Sequence, residues 1–446
     1  MKLFVTILEK NSEAALAAIR AIDGEHDGVE VRAEHFGEFD PAVFRAATGK
    51  TIIMTFRGAS PSRALQRRVL DAGIELVDVE YPGEIEDASR TVLSLHDFEG
   101  MPDLDALVPA MLARNCAHAK IAVTPRNFAD NRRLLSFVHE PRITLIGMGE
   151  RGIYSRILAP FLGSELVFVA PSEDKAAAPG QISLQRALDM ECGGHAAAPQ
   201  KPKVFAVVGN PASHSVSPSI HNPLFRQKNV PAAYTIASIE SFDEITEHFL
   251  NGEPCGLSVT APFKEVALAF AKRVNAEIGE NAIEAGAVNT LVKLEKTILA
   301  DNTDVDGFNF ILSQLCGRDR KSVALIGAGG TARAALVSLQ RAGMHVTLFN
   351  RTEENARKIW DRTEPLERLA SFDGEIIINT TAAGDVQFSP RAGMAYVEAA
   401  YGGAEIAARH ERLRAAGIQV FDGLELLRAQ AVRQHELFMK VFDESR

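Results

Sequence analysis

Residues 322–343 read SVALIGAGGTARAALVSLQRAG, and HVTLFNRT follows at 345–352. An apolar run of strand character closes on Gly327, a glycine turn follows, and alanine- and leucine-rich helical spacing leads into a second apolar strand. That order is a βαβ dinucleotide-binding unit, because glycines let a pyrophosphate approach the backbone where the helix N-terminus favours negative charge. The candidate cofactor residues are therefore Gly327, Ala328, Gly329 and Gly330, with Asn350, Arg351 and Thr352 at the end of the next strand. At that strand end NAD enzymes place an acid for the ribose diol. A guanidinium there favours a 2′-phosphate, so NADP is the expected cofactor.

Working back towards the N-terminus, ECGGHAAAPQKPK at 191–203 lacks periodicity and reads as a linker. Before it, apolar runs alternate with amphipathic helical stretches: KLFVTIL, GVEVRAEHF, TIIMTFR, IELVDVEY, RTVLSLHDF, AKIAVTP, RITLIGM and LVFVAPS. Eight strand-helix units predict a (β/α)8 barrel over residues 1–190, compact for a fold of about 250 residues. Polar residues at the strand ends of such a barrel converge on one site. Here they are Glu30, Arg32, Arg57, Glu80, His96, Asp97 and Lys120, with Arg156 just after the seventh strand. Lys120 alone has two readings. A strand lysine snorkels into water, or a lysine kept dry has a lowered pKa and acts as a nucleophile.

The whole sequence bounds these readings. At 446 residues the chain holds two or three domains, and a net charge of -10 argues against nucleic acid or an acidic membrane as the main partner. Cys116, Cys192, Cys255 and Cys316 are widely spaced without a CxxC pair, which predicts a reducing, cytoplasmic setting and no metal. The N-terminal segment reads as a first strand rather than a signal peptide, and no apolar stretch approaches the ~20 residues needed to span a bilayer.

EVR at Glu30–Arg32, TFR at Arg57, SLHDF at His96, KIAVTP at Lys120, GIYSR at Arg156 and AAAPGQIS at Gln181, in that order, resemble type I 3-dehydroquinate dehydratase. The resemblance implies that Lys120 forms a Schiff base with the C3 ketone of 3-dehydroquinate. It makes His96 the general base and acid, and Glu30, Arg32, Arg57, Arg156 and Gln181 the substrate-binding residues. Two departures stand out. The glutamate that pairs with the histidine in many members is missing from TFRGASPSR, with Ser60 or Pro61 near its place, which points to Glu80 as a substitute. Ala177 stands where a lid serine is common.

Further on, GNPASHSVSPSIHN, GLSVTAPFKE, AGAVNTL and DNTDVDGF resemble shikimate dehydrogenase over 204–446. This implies a two-lobed α/β dehydrogenase: a substrate lobe of 204–315 plus C-terminal helices from about 425, and a Rossmann-type NADP lobe of 316–424. Lys264 and Asp304 match the catalytic pair, and Ser215, Ser217, Thr260, Asn289 and Gln430 the substrate contacts. Ser258 stands where many bacterial members have asparagine, and the stretch from NTTAAGDVQFSPRAG to ARHERL departs most from the family. Together the resemblances imply a bifunctional shikimate-pathway enzyme. It would dehydrate 3-dehydroquinate, then reduce 3-dehydroshikimate to shikimate with NADPH. Two rivals are an NAD-linked quinate or shikimate catabolic dehydrogenase and a metabolite-sensing regulator built from inactive copies. The second should have lost Lys120, His96, Lys264 or Asp304, and all four are present.

Overall fold

The computed structural model describes residues 1–58, 60–140, 142–192, 201–315, 321–381 and 386–443. The first eight strands are β1 Lys2–Leu8, β2 Gly28–Arg32, β3 Thr51–Thr55, β4 Leu76–Glu80, β5 Thr91–Asp97, β6 His118–Val123, β7 Ile143–Gly147 and β8 Leu166–Val169. They form one parallel sheet in the order β7-β6-β5-β4-β3-β2-β1-β8, a nearly closed barrel with its seam between β7 and β8. Every strand expected from the apolar runs is present. β2 stops at Arg32 rather than Phe36 because apolar alternation ends there.

The barrel's compactness has a visible cause. Its helices are α1 Ser12–Arg20, α2 Ala42–Ala47, α3 Arg63–Asp71, α4 Leu104–Leu112, α5 Phe128–Leu135, α6 Gly149–Leu162 and α7 Leu184–Asp189. All but α6 are short, and a single turn at Ala88–Arg90 replaces the helix between β4 and β5. Short helices need their ends satisfied, and the side chains of Asn11, Ser62, Asp103, Asn127 and Ser183 accept backbone N–H bonds at five N-termini. Phe4, Ile53, Val92, Ala122, Ile146, Met148, Leu166 and Phe168 form a core cluster of the barrel.

The chain divides into two compact units, Met1–Glu247 and His248–Arg446. The first therefore extends past the expected linker, of which residues 193–200 lie outside the described residues. It includes a parallel pair, β9 Lys203–Gly209 and β10 Ala232–Ser238, crossed by α8 Ser217–Gln227. The helix α9 Asp243–Leu250 follows at the unit's edge. β10 is bound to the barrel helix α6, with Thr235 Oγ1 donating to the Tyr154 carbonyl at 2.9 Å.

In the second unit β13 (Thr290–Lys293) lies antiparallel to β11 (Gly256–Val259) and β14 (Ile298–Asp301), and β12 (Glu277–Ile278) is parallel to β14. Helices α10 Lys264–Arg273, α11 Glu280–Ala285 and α12 Asp304–Gln314 flank these strands. The six strands that follow are β15 Ser322–Ile326, β16 His345–Asn350, β17 Thr363–Pro365, β18 Ile376–Asn379, β19 Ala395–Glu398 and β20 Gln419–Phe421. They form a parallel sheet ordered β17-β16-β15-β18-β19-β20, the doubly wound arrangement, whose switch point lies between β15 and β18. Its helices are α13 Gly330–Arg341, α14 Glu353–Arg357 and α15 Ala404–Ala415, and the final helix α16 Gly423–Asp443 returns to pack on α12.

Candidate active sites

Lys120 is 3% exposed and lies inside the barrel. From β6 its ammonium crosses the lumen, donating to Glu30 Oε1 on β2 at 2.7 Å and sitting 3.7 Å from the centroid of the Phe168 ring on β8. Asp78 Oδ2 on β4 lies 4.0 Å away. Burial lowers the pKa of Lys120, while Glu30 and Asp78 oppose the shift. The snorkelling reading of the strand lysine therefore fails. Glu30 is buried too, but Lys120, Arg57 and Arg32 outweigh that burial and hold its carboxyl far below the usual range. Its oxygens also accept from Thr6 Oγ1 at 2.8 Å and Thr55 Oγ1 at 3.2 Å.

His96 lies two residues past Ser94, the β5 partner of Lys120 in the sheet. Its Nδ1 sits 3.0 and 3.2 Å from the two Glu80 oxygens and 2.6 Å from Arg57 Nη1, and its backbone N–H donates to Glu80 Oε1 at 2.9 Å. Glu80 is thus the carboxylate beside His96. Burial lowers the pKa of His96, with Arg57 and Lys120 adding to it and Glu80 opposing it. Burial of Glu80 is outweighed by His96 and Arg57, which hold its pKa at about 2. Arg57 donates to Glu80 at 2.7 Å and lies 3.8 and 4.0 Å from Asp78 and Glu30.

Arg156, on α6, is 7% exposed, donates from Nε to the Gly147 carbonyl at 3.1 Å, and has no carboxylate within ion-pair distance among the described residues. Burial pushes it down to about 10. A buried guanidinium without a counter-charge is costly unless an anion joins it. Arg32 turns to Glu34 at 2.5 Å rather than to Glu30, whose oxygens are taken by Lys120 and the two threonines. Gln181 donates to Thr6 Oγ1 at 3.1 Å and accepts the Ala177 N–H at 2.7 Å, so backbone holds that loop where a serine is usual. Asp78, absent from the residues expected from sequence, lies two residues before Glu80 in β4, a spacing that puts both on the same inward face.

Ser215, in the turn after β9, and Ser217, which opens α8, are both buried. Their hydroxyls are 3.1 Å apart, and the Ser217 N–H donates to Ser215 Oγ at 3.2 Å.

In the second unit Lys264 opens α10 and Asp304 opens α12, with 2.5 Å between Nζ and Oδ2. Asn289 Nδ2 donates to Asp304 Oδ1 at 2.8 Å and approaches Gln430 Oε1 at 3.4 Å, and Thr303 Oγ1 donates to the same Gln430 oxygen at 2.7 Å. Four expected residues, Lys264, Asp304, Asn289 and Gln430, are thus joined in one network. Thr260 is half-buried just before α10, its carbonyl accepting the Phe263 N–H at 2.9 Å. Ser258 donates to Gln434 on α16 at 2.6 Å, which accounts for the shorter side chain there. Thr331, which the sequence reading did not name, accepts from Lys264 at 2.9 Å.

The glycine loop is built for close approach. Gly327 has φ +109°, and a Cβ there would meet Thr380 Oγ1 at 2.5 Å; one at Gly330 would meet Lys264 Cδ at 2.9 Å. Around Gly329, the N-cap of α13, a Cβ would meet nothing within 4 Å, so the helix N-terminus has open space in front of it. Ala328 is half-buried in the same turn, and Arg351 and Thr352 are exposed at the end of β16, where Asn350 donates to the Thr352 carbonyl at 2.8 Å. These residues fit a dinucleotide carrying a 2′-phosphate. In the most divergent stretch, of which 382–385 lie outside the described residues, a buried network replaces the usual sequence. Arg409 donates to Glu398 at 2.9 Å, and Asn379 donates to the same carboxylate at 3.0 Å while accepting from Thr381 Oγ1 at 2.7 Å.

An eight-stranded parallel barrel with a dry lysine is thus followed by an α/β region with a dinucleotide-type glycine loop. Comparison with known proteins makes this specific: residues 3–190 match the model for type I 3-dehydroquinase, and residues 207–291 that for the shikimate dehydrogenase substrate binding domain. The chain is 33% identical over 252 residues to a shikimate dehydrogenase (NADP(+)) of Hyphomonas neptunium, an alignment covering 52% of this chain and 90% of that one. A second such dehydrogenase, from Shewanella woodyi, is 34% identical over 260 residues, covering 54% and 93%. The chain belongs to the shikimate dehydrogenase family, and the barrel ahead of that region is similar to type I 3-dehydroquinase. The chloroplastic bifunctional 3-dehydroquinate dehydratase/shikimate dehydrogenase of Arabidopsis thaliana is 29% identical over 348 residues, covering 72% of this chain. The match spans 56% of the plant protein's length.

Proposed function

We propose that the chain dehydrates 3-dehydroquinate to 3-dehydroshikimate in the barrel and reduces that product to shikimate in the second half, two consecutive steps towards aromatic amino acids. The observation that carries the reading is the Lys120 ammonium, 3% exposed and facing Glu30 across the lumen. Its neutral amine adds to the C3 ketone and water leaves, giving a protonated imine that acidifies the C2–H. In the tautomer whose Nδ1 proton is directed to Glu80, His96 keeps a lone pair on Nε2 to take the C2 proton. It then returns a proton to the departing C1 hydroxyl, which leaves as water. Hydrolysis of the imine frees the enone and Lys120. Arg156 receives the substrate carboxylate, the counter-charge that its buried guanidinium lacks. Arg57, Arg32, Glu30 and Gln181 contact the ring hydroxyls.

In the second half NADPH, when bound, supplies the hydride. Gly327, Ala328, Gly329 and Gly330 hold its pyrophosphate, and Asn350, Arg351 and Thr352 its 2′-phosphate. Lys264, fixed by Asp304, polarises the ketone and delivers the proton to its oxygen. Ser215 and Ser217 serve the carboxylate, and Thr260, Asn289 and Gln430 the hydroxyls. We assign the domains as barrel 1–190, linker 191–203, substrate lobe 204–315 with α16, and NADP lobe 316–424. A cytoplasmic setting belongs to the same reading, supported by the buried free thiols of Cys116 and Cys192. Among the described residues no helix is long and apolar enough to cross a membrane.

The test is to supply the purified chain with 3-dehydroquinate and NADPH and identify products, then compare kcat/KM for shikimate and quinate with NADP+ and NAD+. Shikimate formation and a preference for the shikimate–NADP+ pair support the proposal. A preference for quinate with NAD+, or no turnover, refutes it.

A further inference from the structure

The loop that carries Ser215 and Ser217 is held by side chains of the barrel. Arg186, on α7, directs one guanidinium nitrogen, Nη2, at two carbonyls of that loop, those of Ser213 and of Ser215, the latter at 3.4 Å. On the loop's other flank the Ala212 N–H donates to Ser238 Oγ at 3.1 Å, and that hydroxyl donates to Glu150 Oε1, in the first turn of α6, at 3.1 Å. The helix that follows is tied down as well. Asn222 Nδ2 donates to the Met190 carbonyl just past α7 at 2.9 Å, and Arg226 pairs with Glu191 at 2.8 Å. The loop's own bonds, Ser215 N–H to the Ala212 carbonyl and Ser217 N–H to Ser215 Oγ, shape the turn but do not fix it to a scaffold.

We infer that Arg186 is a positioning residue for the reductase: from the barrel it fixes the backbone of residues 213–215 and so sets where the Ser215 and Ser217 hydroxyls stand. A charged donor shared by two carbonyls restrains both ends of a short turn, and without it the turn keeps its tie through Ala212 on one flank while residues 213–215 lose theirs to the barrel. The barrel then positions the two serines assigned to the reductase, although it takes no part in that reaction. Glu150 and Arg156 lie on the same helix α6, so the element that holds the loop through Ser238 also carries the dehydratase's buried cation. The inference rests on the proposed role of the two serines.

The experiment uses the full chain with Arg186→Ala and Arg186→Lys, read by hydrogen exchange over residues 210–222 and by kinetics of shikimate oxidation. In the alanine variant, exchange over 212–217 is expected to rise at least about tenfold, and KM for shikimate by about tenfold, with a smaller change in kcat. The lysine variant, keeping a charged donor on a side chain of shorter reach, should fall between it and wild type. KM for NADP+ and the dehydratase kcat/KM should stay within about twofold of wild type. Wild-type exchange and KM in both variants would overturn the inference. So would a parallel loss of shikimate, NADP+ and dehydratase parameters, which would mark Arg186 as general packing. Failure of the wild-type chain to oxidise shikimate would instead refute the role given to the serines, while the exchange result would still decide whether Arg186 holds the loop.

Discussion

Replacing Glu80 with glutamine tests the barrel's departure from its family. The substitution keeps a hydrogen-bonding group of the same size beside His96 Nδ1, now 3.0 Å from a carboxylate oxygen, and removes only the charge. A hydrogen bond to a charged partner contributes about 1.5–3 kcal/mol, so its loss should lower dehydratase kcat/KM by about 10- to 100-fold. The pH profile moves in a defined direction. Glu80 raises the pKa of His96 against burial, Arg57 and Lys120, so its neutralisation lets that pKa fall further. Because His96 must be neutral to accept a proton, the acid limb of kcat/KM should move to lower pH while the plateau drops. Following the ultraviolet absorbance of the conjugated product across pH gives both numbers. An acid limb that stays in place, with a plateau within about twofold of wild type, would refute the assignment of Glu80 as the partner of His96.

The second half makes separate predictions. Lys264→Met removes the proton donor that Asp304 holds and should cut shikimate oxidation by about 10²- to 10⁴-fold, with dehydratase kcat/KM in the same preparation unchanged within about twofold. Arg351→Ala should raise KM for NADP+ by about 10- to 100-fold and leave KM for NAD+ nearly unchanged, as steady-state kinetics with the two cofactors would show. Equal effects on both cofactors would mean that Arg351 does not meet a 2′-phosphate.

Much of this architecture was legible because period-2 and period-3.6 patterns are local. The eight barrel strands and the β15-loop-α13 unit follow directly from apolar runs and glycine spacing. The identity of Lys120's partners was less accessible. Glu30 lies 90 residues away along the chain, and only barrel closure brings β2 opposite β6. Asp78 carried a usable signal, the i, i+2 spacing to Glu80, whereas Phe168 offered none beyond its place in an apolar strand. The extent of the first unit was hidden for a different reason. Nothing in the pattern of β10 shows that its outer face rests on α6 through Thr235, so the glycine- and alanine-rich linker gave no sign that structure continues past it into 203–247. Arg186 is one more arginine on a short helix until its two carbonyl acceptors, 27 and 29 residues on, come into view.

The most direct test of the central claim is covalent. The chain is incubated with 3-dehydroquinate and borohydride, digested, and the peptide containing Lys120 is weighed by mass spectrometry. Reduction of the imine should leave a stable adduct on Lys120 and abolish dehydratase activity, with shikimate oxidation retained. An unmodified Lys120 peptide alongside undiminished turnover, or an adduct confined to another lysine, would contradict the account.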